Sequence, residues 1–188
     1  MEQTENKEIN ANCRKIREED LQMIMEWRMR ADITKYMNSD PVLTLDGQKK
    51  WLDRISRSEN DWYWLLEVDG EPAGVASLIG YDGNLIHTGL YIAEQSKRSL
   101  KLTLYMQWNL YRFSFETLGV NKVCEEVFEE NQAVNRILDM CGSKREGVLR
   151  NQVMKNGKFY NIIYRGILKE EWEVINSKRT YDRIEFEV

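Results

Sequence analysis

His87 is the only histidine among the 188 residues of the chain. A neutral imidazole accepts a proton near pH 7, so this is the first residue to weigh for acid–base chemistry. Its solitude is informative. A metal site of the H-E-x-x-H kind needs two histidines, and a Ser-His-Asp triad would need a G-x-S-x-G elbow that the sequence lacks. The plainer reading of His87 is a sheet histidine beside a turn. The three cysteines (Cys13, Cys124, Cys141) are odd in number, widely spaced and include no C-x-x-C pair. They fit neither a disulfide framework nor a zinc cluster, and no metal is expected. Free thiols suit a reducing, cytoplasmic setting.

Composition narrows the class further. With 27 basic and 31 acidic side chains the formal charge is −4, which argues against a dedicated nucleic-acid binder. No apolar run approaches the roughly 20 residues needed to cross a bilayer, and the opening MEQTENKEIN is polar, so no membrane or secretory segment is expected. At 42% hydrophobic and 31% charged, the chain reads as one ordinary globular domain.

The elements that must position these residues follow from periodicity. After a polar lead-in over residues 1–11, a short strand is expected over 12–17. Asp20 then reads as the N-cap of a helix with Leu21, Ile24, Met25 and Arg28 on one face, fraying by Met37. A second helix begins at Thr44 and turns Trp51, Leu52 and Ile55 inward. The period then drops to two. Residues 62–68, 72–79 and 85–92 read as a meander with turns at Asp69-Gly70 and Asp82-Gly83. A long helix over 102–118 carries two apolar rows and ends at Gly119. A strand over 122–128 follows. The next helix, 131–140, should turn Ala133, Val134, Ile137, Leu138 and Cys141 inward and stop at Gly142. A closing hairpin over 147–154 and 159–168 turns at Asn156-Gly157. Residues 173–188 read as a charged C-terminal extension. The fold class is therefore α/β (α+β), a mixed, mostly antiparallel sheet flanked by helices.

This order, with the residues it carries, resembles the GNAT superfamily of acyl-CoA-dependent N-acetyltransferases over residues 12–172. The resemblance is greatest to its ribosomal-protein-alanine and flagellar aminosugar (PseH-like) branch. Glu26-Trp27-Arg28 followed by Ile33-Thr34-Lys35-Tyr36-Met37 is similar to the W-R-x…I-x-x-Y-M first helix of the aminosugar branch. Glu71-Pro72-Ala73-Gly74-Val75-Ala76 resembles the G-x-x-I-G-x strand. Phe115 to Val123 resembles F-x-x-L-G-L-x-K-V. Asn131-Gln132-Ala133-Val134-Asn135-Arg136, with Gly142 and the run from Lys144 to Arg150, is similar to N-x-x-A-x-R…G-F-x-x-E-G-x-x-R.

The resemblance implies acetyl-CoA as co-substrate. It implies a sheet that splays beside the strand Leu90-Tyr91-Ile92, whose backbone donors would meet the acyl carbonyl and pantetheine. The family's phosphate-binding Q/R-x-x-G-x-G/A maps onto Arg98-Ser99-Leu100-Lys101-Leu102-Thr103. Both glycine positions are filled, by Lys101 and Thr103, and glycines normally let consecutive N–H groups approach a phosphate. Asn131 would bond the pantetheine amide, or simply cap its helix. Arg136 would reach CoA or sit on a solvated face. His87 falls where relatives often carry a glutamate, which makes it the candidate general base. Trp27, Arg28, Tyr36, Met37, Tyr160 and Asn161 would line the acceptor pocket. The tyrosine with which many relatives protonate the leaving thiolate is replaced by Leu138, leaving Tyr91, Tyr105 and Cys141 as fallback acids.

Two functions follow from different classes. One is an N-acetyltransferase acting on a small-molecule primary amine, such as an amino sugar or a nucleotide-linked sugar. The other is a GNAT-fold protein with a degenerate CoA site that serves as a binding or assembly module. Neither nucleic acid nor membrane is an expected partner; a second copy of the chain, forming a homodimer, is.

Overall fold

The computed structural model describes residues 8–188; the first seven residues of the expected lead-in lie outside them. An eight-stranded sheet in the order β6-β7-β5-β4-β3-β2-β1-β8 divides two helical layers. The strands are β1 (Ala11–Lys15), β2 (Trp62–Val68), β3 (Glu71–Ile79), β4 (Leu85–Ile92), β5 (Lys122–Phe128), β6 (Lys144–Lys155), β7 (Lys158–Leu168) and β8 (Glu185–Phe186). The helices are α1 (Leu21–Met29), α2 (Ala31–Thr34), α3 (Leu45–Ser56), α4 (Leu100–Arg112), α5 (Gln132–Cys141) and α6 (Lys169–Asn176). Neighbouring strands are antiparallel except for the β4–β5 and β1–β8 pairs.

Alternation along the strands fills both faces. Leu65 and Val75 pack with Leu21, Ile24, Trp27 and Ile33 of α1 and α2, on what is here called the front. Trp64, Leu66, Ala76, Leu78, Ile86 and Val123 face α4, Cys141 and Trp172 on the back. Two turns were legible as dipeptides. Asp69-Gly70 and Asn156-Gly157 both place two consecutive residues at positive φ, as the tight hairpin turn requires.

Local departures from the sequence reading have identifiable causes. Asp20 does not cap α1; its carboxylate instead accepts from the Arg17 N–H and the Arg14 guanidinium. The first helix does not run to Met37. Arg30 is extended (φ −74, ψ 133) and separates α1 from α2, with its side chain drawn to Asp32 and the Ala93 carbonyl. The long helix changes at Phe113 to a wider turn, closed by the Leu118 N–H on the Phe113 carbonyl. On α5 only Leu138 and Cys141 are buried, and Ala133 is exposed. The segment 173–188 is packed into the domain. α6 crosses position 172, Ile184 and Phe186 are buried, and the Trp64 indole donates to the Glu187 carbonyl.

Candidate functional site

The central feature is where the sheet comes apart. β4 and β5 pair over only three positions, Leu85↔Lys122, Ile86↔Val123 and His87↔Cys124, and then diverge. The phase of the ladders shows what is left without a strand partner. The Ala93 N–H bonds the Ala73 carbonyl of β3, so by antiparallel alternation the odd residues of β4 face β3. Thr88, Leu90 and Ile92 therefore present their backbone groups toward the gap. On the other side the Glu129 N–H bonds the Asn161 carbonyl, so the even residues Glu126 and Phe128 face the gap from β5. Ile92 and Phe128 are partly satisfied: Arg98 donates to the Ile92 carbonyl (2.8 Å), and Asn131 and Asn135 donate to the Phe128 carbonyl. The His87↔Cys124 pairing uses the Thr88 N–H, so among the described residues the Thr88 carbonyl and the backbone groups of Leu90 and Glu126 are the ones without a strand partner on that side.

Of the three residues expected to bind through their backbone, Leu90 and Ile92 do face the cleft. The N–H and C=O of Tyr91 point to β3 instead. The close fit of β3 against Tyr91 depends on Gly74, where a Cβ would lie 2.1 Å from the Tyr91 carbonyl oxygen. The Tyr91 side chain goes to the front, where its hydroxyl is buried without a hydrogen-bond partner and burial raises its pKa.

α4 starts at the mouth of the gap. Ser99 caps it, its hydroxyl accepting from the Leu102 N–H at 3.1 Å. Neither residue standing at a glycine position lies across this turn. The Thr103 hydroxyl folds back onto the Ser99 carbonyl (2.9 Å). The Lys101 ammonium is drawn along the flank of α4 toward Asp182 (3.8 Å) and the Tyr105 ring. Leu100 is exposed and Leu102 is buried in the core. Arg98 does not extend outward: it bonds the Ile92 and Ala93 carbonyls and Asp32. Asn131 caps α5, accepting from the Val134 N–H, and Arg136 is exposed on the same helix.

His87 is half-buried on the front face at the last paired position, its ring edge-on to Tyr164 with centroids 6.2 Å apart. The Cys124 thiol lies on the same face, and its pKa is raised, chiefly by burial. Glu126 lies two residues beyond Cys124 on the same face and is exposed. Sequence reasoning missed it, because only the β5 phase shows that it borders the gap. The acceptor-side residues separate into two groups. Trp27 is buried and donates to Glu94 (3.1 Å), while Arg28 reaches the Met37 sulfur. Tyr36 and Tyr160 converge on Phe128 with centroids 6.2 and 5.4 Å from its ring. Asn161 is taken up elsewhere, bridging the Asn151 N–H and Glu129 across the irregular part of the hairpin. Lys155, also missed, is a buried cation that donates to the Thr34 and Met37 carbonyls and pairs with Asp40 at 2.8 Å. It ties the loop after α2 to the hairpin.

Two fallback acids lie away from the gap. Tyr105 packs on Trp108 and Tyr181 along the outer flank of α4. Cys141 is wholly buried, and burial pushes its thiol up to about 12. Among the described residues no group of three His, Cys, Asp or Glu side chains could hold a metal, and no helix is long and apolar enough to cross a membrane.

A sheet opened between two parallel strands, with a capped helix at its mouth, is the acyltransferase architecture that the motifs implied. The chain belongs to the acetyltransferase (GNAT) domain family, which matches residues 12–144, and is an enzyme of that family. The uncharacterized N-acetyltransferase p20 of Bacillus licheniformis is 21% identical over 175 residues, covering 85% of this chain and 93% of that protein. The uncharacterized N-acetyltransferase YoaA of Bacillus subtilis (strain 168) is 37% identical over 57 residues; the match spans 30% of this chain and 32% of that relative. The spermidine N-acetyltransferase of Vibrio cholerae, solved with CoA and spermine, shares the fold with a TM-score of 0.77. It is 20% identical over 87% of this chain and 98% of its own.

Proposed function

We propose that the protein transfers an acetyl group from acetyl-CoA to the primary amine of a small molecule. The observation that carries this reading is the row of backbone groups left without strand partners where β4 and β5 part: the Thr88 carbonyl and the backbones of Leu90 and Glu126. An extended amide-bearing arm can add there as a strand would. Leu90 supplies a fixed N–H for the acyl carbonyl, a donor already oriented before reaction. Ser99 and the first turn of α4 favour the phosphates, and the outward paths of Lys101 and Thr103 are compatible with them. Acetyl-CoA, when bound, supplies the activated acyl group. On the chain's side, His87 takes the proton from the amine, directly or through water, with Glu126 as the second acceptor on the same face.

The acceptor we infer is an amine that also carries an anionic group, such as an amino sugar or a nucleotide-linked sugar. Arg28 has no carboxylate within ion-pairing distance among the described residues, and its charge opposes, without outweighing, the rise that burial gives the Tyr91 hydroxyl. Tyr36 and Tyr160, packed on the buried Phe128, offer aromatic surface on the acceptor side. A polyamine is the second reading, favoured by the exposed Glu126 carboxylate. Thiol release from acetyl-CoA, measured with a nucleotide-linked amino sugar and with spermidine, separates the two. Turnover of spermidine alone would overturn the anionic-acceptor reading. Absence of acetyl-CoA binding in calorimetry would favour the binding-module alternative.

A further inference from the structure

The segment joining β4 to α4 is fastened to the acceptor-side helices by side-chain hydrogen bonds and ion pairs. Asp32 on α2 accepts from Arg30 through both oxygens (3.0 and 2.8 Å), and its Oδ2 also accepts from Arg98 (2.8 Å). Arg98 in turn donates to the Ile92 carbonyl (2.8 Å) and the Ala93 carbonyl (3.2 Å), and Arg30 adds a bond to Ala93 (3.1 Å). One carboxylate thus holds two guanidinium groups, and both cap the end of the strand that borders the gap. The Trp27–Glu94 bond fastens the next residue of the same segment.

The electrostatics require the carboxylate. Without Asp32, and with Glu94, the other anion near Arg30, engaged by Trp27, two guanidinium groups would meet at the Ala93 carbonyl with no carboxylate bridging them. Their repulsion would release Arg98, which is half exposed. The segment 93–99 would then lose the contacts that set the direction in which Ser99 and α4 begin. We propose that Asp32 is a positioning residue of the acyl-CoA site. It acts through Arg98 on the β4–α4 segment, and so links the acceptor-side helix α2 to the cofactor side of the cleft.

This rests on acetyl-CoA being the co-substrate, and the test separates the two ideas. Calorimetry with acetyl-CoA is run on the wild type, Asp32→Asn, Arg98→Gln and the double variant, and amide hydrogen exchange is followed over residues 93–103 in their ligand-free forms. The expected result is an acetyl-CoA Kd about 10-fold weaker in Asp32→Asn, with the double variant no worse than Arg98→Gln, because the two side chains act as one unit. KM for acetyl-CoA should rise while kcat at saturation holds, Asp32→Glu should recover part of the loss, and exchange over 93–99 should quicken. If the wild type fails to bind acetyl-CoA, the functional reading falls, while the exchange arm still decides the positioning role. If the wild type binds and Asp32→Asn binds equally well with unchanged exchange, the positioning role is refuted.

Discussion

Replacing Glu125 by glutamine should remove a pH dependence of stability that this one carboxyl builds into the fold. Glu125 is 4% exposed on β5, behind the wall of the cleft, where α4 and α5 meet the sheet. The Tyr111 hydroxyl donates to one of its oxygens and the Ser143 hydroxyl to the other at 2.7 Å. These bonds and the nearby Arg165 favour the carboxylate, but burial is the larger effect and pushes the group from 4.5 up to about 7. The sign follows directly. The folded state holds the proton more tightly than the unfolded chain, so this contribution to stability is complete below pH 4.5 and is lost as pH rises through about 7. Across that interval, about 1.4 kcal/mol per pH unit gives a loss on the order of 3 kcal/mol. Glutamine has the same shape and no titration, so Glu125→Gln should flatten the slope. The assay is urea unfolding followed by tryptophan fluorescence at several pH values between about 4.5 and 8. The wild type should lose ground steadily to the variant as pH rises. Parallel curves for the two proteins over this range would refute the reasoning. Asp20 and Glu67, held below their usual range by hydrogen bonds and ion pairs that outweigh burial, act at lower pH and with the opposite sign.

Other perturbations probe the site itself. His87→Ala should lower kcat/KM by about 10²-fold while acetyl-CoA binding survives, since the expected contacts are backbone groups; a folded variant with an unchanged rate removes His87 from the mechanism and leaves Glu126→Gln to be tested. Gly74→Ala places a methyl 2.1 Å from the Tyr91 carbonyl oxygen. It should cost about 1–3 kcal/mol in denaturant unfolding and weaken acetyl-CoA binding, because β4 must shift; unchanged stability would show that β3 yields instead. Lys155→Met removes the cation that holds the Thr34 and Met37 carbonyls and Asp40. The acceptor KM should rise while the acetyl-CoA KM stays put, and an equal rise in both would argue against a local role for this loop.

Much of the fold was legible because its signals are local. Asp69-Gly70 and Asn156-Gly157 mark turns by backbone conformation alone, Gly119 and Gly142 end helices at positive φ, and alternation places β2 to β5 within a residue or two. Asn131 could be read as a cap, and it is one. What the sequence left open depends on which strand meets which, and in what phase. The three-pair contact of β4 with β5, the direction of the Leu90 and Tyr91 backbones, and the place of Glu126 beside the gap are properties of register between strands distant in sequence. The same holds for charge. Arg98 reads as a phosphate contact in its motif, yet it is turned inward by an aspartate 66 positions earlier. Lys155 carries no signal in the sequence, yet it is buried against backbone carbonyls of the loop after α2. Long side chains take the nearest partner the assembled fold offers, and only the tertiary structure decides which partner that is.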